Sequence, residues 1–293
     1  MSITLLFLLT MVPGTIFLGF SDVLGKKILS ADINEHLMIS IGFGGVGIIA
    51  SSMLFFTGIP DIREGFWGAL AGTVFLNIFA QWFFLKAFKK EEASLVSPLR
   101  LLSPPLTLLT GLIILGEKPG LFGILGVLTT FVGLWFLLTE GSGIRRISVA
   151  GLLRRPGLLY GIAGALAFAV SLPLDKKAVV ASSAFLFIAL AFLVIAAGNF
   201  LIGWSLAESR RTFYTIPKET ARWLPLYILA LAGGALLTVQ ALNYAFVAYA
   251  SSVKRLWSLW AILFSGAFLK EKHIGRKLIG AGIMLSGIAL TLL

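Results

Sequence analysis

The feature that most restricts this chain is the spacing of its polar residues. Apolar runs of roughly 20 residues recur along its whole length, parted by short polar or Gly/Pro breaks. A run of that length crosses the hydrocarbon of a bilayer as an α-helix, and no segment is long or polar enough to form a soluble domain. Composition agrees: 58% of residues are hydrophobic, 13% are charged and mean hydropathy is +0.98. Soluble domains carry about a quarter charged residues. The expected class is therefore an all-α integral membrane protein. Its spans fall near 2–24, 34–58, 66–88, 93–115, 119–139, 157–177, 181–207, 223–246, 250–269 and 274–293.

Net charge is +11, from 24 Lys and Arg against 13 Asp and Glu. Without a basic helix or an aromatic-plus-basic platform this excess does not point to nucleic acid; it points to loops and anionic lipid headgroups. The absence of cysteine excludes disulfides, thiolate catalysis and Cys-ligated metals. The N-terminus is apolar from Ile3 and its first Lys is Lys26, so it reads as a retained first span rather than a cleaved signal. Most basic residues cluster after the third, fifth, seventh and ninth spans, as Lys86, Lys89 and Lys90, Arg145 and Arg146, Arg210 and Arg211, and Lys270 and Lys272. By the positive-inside rule those links are cytoplasmic and both termini external.

The chain also repeats itself. At an offset of 154, Leu115-Gly116-Glu117-Lys118 falls on Leu269-Lys270-Glu271-Lys272, Gly126 on Gly280, Gly133 on Gly287 and Arg100 on Lys254. At an offset of 150, Ser21 falls on Ser171 and Lys26-Lys27 on Lys176-Lys177. The expected organisation is a five-helix repeat over 1–140, a basic linker at 141–156 and a second five-helix repeat over 157–293. An odd number of spans per half inverts the second half relative to the first, as in alternating-access transporters.

These features resemble the drug/metabolite transporter superfamily, in particular its ten-helix EamA-like family, where the fourth helix of each half ends in an apolar run and Gly-Glu. Gly116-Glu117 matches that pattern; the second copy departs from it, with Lys270 in the place of Gly. The resemblance implies termini in the cytoplasm, opposite to the charge count, and a pocket lined in part by the third and eighth helices; the cavity expected here is lined by helices 1, 3, 4, 6, 8 and 9.

Polar groups inside spans are costly and mark candidate sites. Asn77 and Gln81 share one face of the third span, with Trp82 at its border; Gln240 and Tyr244, with Asn243 beside them, hold the related place in the eighth. They suit hydrogen bonding to a small polar substrate, and equally suit bonding between packed helices. Trp82 and Trp257 would meet an apolar part of the substrate. Arg100 offers a forked donor for carboxylate or phosphate. Lys254-Arg255 resembles the pair that holds phosphate in sugar-phosphate and nucleotide-sugar transporters, although Ser251-Ser252 stand where those families place Asn. The same two residues can instead snorkel to headgroups. Asp22 is a candidate for carrying a coupling proton, or pairs with Lys26; Asp175 beside Lys176-Lys177 reads as an ion pair. Glu117 and Glu271 read as caps, and His36 and His273 are too isolated for a metal site. Gly42-Phe43-Gly44-Gly45-Val46-Gly47 matches a dinucleotide-binding pattern but lies within a span without a βαβ unit, so it reads as a packing surface.

The expected function is secondary transport of a small polar or amphipathic metabolite by alternating access, without cofactor, in a multi-pass protein of the plasma (inner) membrane. The alternatives are an exchanger of phosphorylated or anionic solutes and, remotely, a membrane-embedded enzyme acting on a lipid-linked substrate, for which no catalytic constellation is present. Substrate and membrane lipid are the expected partners, with monomer and homodimer both open.

Overall fold

The computed structural model describes residues 2–29, 33–90, 96, 99, 102–139, 155–206, 216–269 and 274–291. Their regular structure is helical throughout: α1 (Ile3–Leu29), α2 (Glu35–Thr57), α3 (Phe66–Lys90), α4 (Ser103–Leu115), α5 (Leu121–Thr139), α6 (Pro156–Ala181), α7 (Ala184–Leu206), α8 (Leu224–Gln240), α9 (Val247–Lys254), α10 (Leu256–Leu269) and α11 (Ile274–Thr291). A single helical turn at Lys218–Ala221 precedes α8, and a 3-10 turn at Ala241–Asn243 follows it. Among the described residues six segments are long and apolar enough to cross a membrane: Ile3–Leu29, Glu35–Thr57, Phe66–Phe84, Pro156–Ala181, Ala184–Ser205 and Lys218–Asn243. The protein is a multi-pass membrane protein.

Several spans differ from their expected bounds, two of them in their course as well as their ends. α4 starts at Ser103, because Pro104 and Pro105 fit only the first turn, where a missing N–H costs nothing. The ninth span begins earlier than expected and is divided: α9 stops at Lys254, Arg255 forms a turn, and α10 resumes at Leu256.

The chain forms two compact units, each drawing on both sequence halves. The first comprises Met1–Val74, Asp175–Tyr244 and Leu256–Glu271. Asn34 opens α2 by accepting the N–H groups of His36 and Leu37. α2 then runs antiparallel to α7. Phe43 stacks on Phe192 with centroids 4.8 Å apart; a Cβ added at Gly44 would lie 3.7 Å from the Ala196 Cβ, and one at Gly47 2.7 Å from the Leu193 Cγ. A shift of 149 residues carries Phe43 onto Phe192 and exchanges the pair Gly44–Ala196 with the pair Gly47–Leu193. Gly42 and Gly45 lie against Tyr227 and Ile228 of α8, so the glycine pattern in α2 is a packing surface. α1 packs on α8 through Gly14 against Thr238 and Gly234 against Leu18, and on α10 through Gly19 against Trp260. The Trp260 Nε1–H donates to the buried Thr15 hydroxyl at 3.2 Å.

The second unit comprises Phe75–Leu174, Ala245–Arg255 and Lys272–Leu293. Here α5 and α11 meet backbone to backbone. A Cβ on Gly126 would lie 2.7 Å from the Gly287 carbonyl oxygen, one on Gly133 2.7 Å from that of Gly280, and one on Gly287 2.8 Å from that of Gly126. Small residues permit such approach, and dispersion across it replaces the hydrophobic drive that lipid does not supply. The shift of 154 exchanges the contact Gly126–Gly287 with the contact Gly133–Gly280. In α6, Pro173 leaves the Ala169 carbonyl without its helical donor. The Thr110 hydroxyl of α4 donates to that carbonyl at 2.6 Å.

Candidate functional site

The sequence-derived site residues divide between the two units. In the second unit, the Asn77 Nδ2–H of α3 donates to the Ser171 hydroxyl of α6 at 2.6 Å. That bond joins two helices, as the packing reading of Asn77 requires. One turn further along α3, the Gln81 Oε1 is buried and has no hydrogen-bond partner among the described residues. Leaving a buried acceptor unsatisfied costs about 1–3 kcal/mol. Trp82 sits among Phe79, Phe83 and Tyr160, and the Lys86 ammonium lies 3.7 Å from its ring centroid and 5.6 Å from that of Tyr160. Lys86, counted in the sequence among the basic residues in or beside a cytoplasmic link, is a residue of α3 with the Trp82 ring beneath it and the Tyr160 ring farther off. Such a contact adds about 0.5–1 kcal/mol where exposed.

Lys254 occupies the last turn of α9, where the helix dipole favours a cation. Arg255 follows in the turn before α10, and its Nη2–H donates to the Ser103 hydroxyl at the start of α4. Arg255 is half-buried and bonded within the protein, which differs from a side chain extended to the headgroups. Arg100 lies outside the described residues, as do Glu271 and His273.

In the first unit, the Gln240 Nε2–H donates to the Tyr244 hydroxyl at 3.4 Å, so these two residues, four apart, bond to each other. Asn243 is exposed and donates to the Gln240 carbonyl at 3.3 Å, closing the end of α8. The Trp257 Nε1 is buried with no hydrogen-bond partner among the described residues. Asp22 is exposed on α1, and Lys27 lies over the Trp223 ring at 3.8 Å.

Several functional groups escaped the sequence reading. Thr73, buried in α3, donates to Asp175 of α6, so this carboxylate is held across a helix contact. Glu117 does cap a helix, but a distant one: its Oε2 accepts the Val247 N–H, the first of α9, at 2.7 Å. Ser103, Thr110 and Ser171 supply the other partners. The signal for all of them was a hydroxyl or carboxyl inside or beside a span; their pairing needed the fold.

Comparison with known proteins fits this architecture. A crystal structure whose description states no function matches over 98% of this chain and 94% of its own, with a TM-score of 0.78 and 15% sequence identity, a likeness of fold. A search of curated proteins found no match. The model of the EamA-like transporter family matches twice, over residues 5–139 and 155–293, covering nearly the whole length. The chain belongs to the EamA-like transporter family, and so to the membrane transporters of the drug/metabolite superfamily.

Proposed function

We propose that this transporter moves a small polar or amphipathic metabolite by alternating access, using two inverted five-helix halves and ten spans. The carrying observation is the exchange symmetry of its contacts. In α2 with α7 and in α5 with α11, equivalent residues of the two halves meet, and the helices of each pair run antiparallel. Antiparallel equivalents are what an inverted repeat requires, and a dyad between them makes contacts occur in exchanged pairs. The two family matches, falling one on each half, support the same division at 1–140 and 157–293.

In this reading Asn77, Gln81, Gln240 and Tyr244 bind the polar part of the substrate, with Asn243 beside them, while Trp82 and Trp257 meet its apolar part. The buried Gln81 acceptor and Trp257 donor favour these two residues, because neither has a hydrogen-bond partner among the described residues and a ligand would supply one. Energy comes from the substrate gradient, exchange or protons, with Asp22 as the coupling candidate. The protein resides in the plasma (inner) membrane and functions as a monomer or homodimer in contact with lipid.

The test is counterflow in liposomes with a panel of amino acids, sugar phosphates and nucleotide sugars, followed by Gln81→Leu. The variant should raise KM for the transported solute about tenfold with little change in kcat, the signature of a lost binding contact. It should also leave the empty protein as stable or more so, since a costly buried acceptor is removed. If no panel member moves, the substrate class is wrong; an unchanged KM removes Gln81 from the site.

A second reading, exchange of phosphorylated or anionic solutes, is favoured by the half-buried Arg255 guanidinium next to Lys254, with Arg100 as a third cation. Sugar phosphates moving while neutral amino acids do not, and Arg255→Gln abolishing that movement, would establish it over the first.

A further inference from the structure

α9 is eight residues long, about 12 Å, too short to be anchored by its own turns. Its first N–H groups need acceptors, and its N-cap residue, Phe246, makes no side-chain cap. The acceptor comes from 130 positions away: the Glu117 Oε2 takes the N–H of the fully buried Val247 at 2.7 Å, and Glu117 itself is only 9% exposed. A carboxylate there also complements the positive end of the helix dipole.

The approach is built by two glycines. Gly116, at φ +68°, turns the chain off α4, and the N–H groups of Gly116 and Glu117 close that turn on the carbonyls of Leu112 and Gly111. A Cβ on Gly111 would lie 2.8 Å from the Val247 Cγ1 and 3.4 Å from the Glu117 carboxylate, so the bare backbone there admits the contact. At the opposite end of α9, Arg255 donates to Ser103, in the first turn of α4. The half-helix is thus gripped at both ends from the two ends of α4.

We infer that Glu117 is a positioning residue: by holding the N-terminus of α9 it sets the register in which Lys254 and Arg255 are presented. The consequence for transport rests on the proposed function; the mechanical role does not.

The native chain lacks cysteine, so single cysteines report position without background. Lys254→Cys, with Ser52→Cys on α2 as the control, is reacted with a charged thiosulfonate reagent in the full-length protein in detergent. Glu117→Ala should change the Lys254→Cys labelling rate at least about fivefold, because the end of α9 is released locally, and leave the control rate unchanged. Glu117→Gln, which keeps an acceptor oxygen, should restore the rate to within about twofold, whereas the shorter Glu117→Asp should behave like Ala. Should the Ala variant fail to fold, the contrast between Gln and Asp carries the test. Equal rates in Gln and Asp, an unaltered rate in Ala, or parallel changes at positions 254 and 52 would each overturn the inference. Labelling requires no substrate, so it can fail while transport is established, or succeed where the solute panel fails.

Discussion

Two helix pairs in this molecule are built to the same plan with different materials. α2 meets α7, and α5 meets α11, each by joining equivalent residues of the two sequence halves in antiparallel order. In the α5–α11 pair the glycines face backbone: the nearest atoms to a Cβ on Gly133 are the Met284 nitrogen, the Gly280 carbonyl oxygen and the Ile283 carbonyl carbon. In the α2–α7 pair they face mainly side chains, the tip of Leu193 for Gly47 and the methyl of Ala196 for Gly44, with a stacked Phe43–Phe192 pair alongside. Backbone cannot rotate aside; a leucine can. The first seam is rigid and intolerant, the second buffered, so of the two only α2–α7 can change its packing without the helices parting.

The largest expected effect breaks the rigid seam. Gly133→Ala and its equivalent Gly287→Ala each force α5 from α11 and should each destabilise by about 3 kcal/mol, since no rotamer change relieves the clash. The measurement is the apparent thermal midpoint in detergent at a fixed scan rate. The two variants should lose the same amount within about 1 kcal/mol, because they occupy exchanged positions in one dyad. A large effect at one and none at the other would dissolve the equivalence on which the proposed inverted arrangement rests.

Much of the rigid seam was legible in the sequence. Gly126, Gly133, Gly280 and Gly287 stand in one register in apolar helices, and small residues there have few uses other than close approach. The buffered seam was harder to see. Its register, 149, differs from the offsets of 150 and 154 found elsewhere, and Phe43 on Phe192 is one match among many apolar coincidences. Site residues were legible as types but not as pairs. Asn77 announced a need for a partner without naming Ser171. Glu117 was readable as a cap, but the helix it caps starts at Val247, and separation in sequence carries no information about such a contact. The division of the ninth span at Arg255 left no mark in hydropathy, because one charged turn between apolar runs resembles a helix end.

The buffered seam is sharpened by smaller changes. Gly47→Ala brings a methyl to 2.7 Å from the Leu193 Cγ and 3.1 Å from its backbone nitrogen, so the side chain must move while the backbone gives slightly. The expected loss in the same thermal assay is about 1 kcal/mol, between the rigid seam and none. A loss as large as that of Gly133→Ala would mean that Leu193 has no room to turn and that the two seams are mechanically alike.

Gly44→Ala reverses the sign. The added methyl reaches only ordinary contact with Ala196, at 3.7 Å, while alanine in place of a helix-interior glycine favours α2 by up to about 1 kcal/mol. The variant should therefore be slightly more stable than the parent, making it a probe of motion and not of folding. If, under the proposed alternating access, α2 and α7 slide past each other, filling this gap stabilises one arrangement and slows turnover while KM stays near that of the parent. If uptake is unchanged in the more stable variant, the seam does not move at Gly44, and the buffering serves assembly rather than transport.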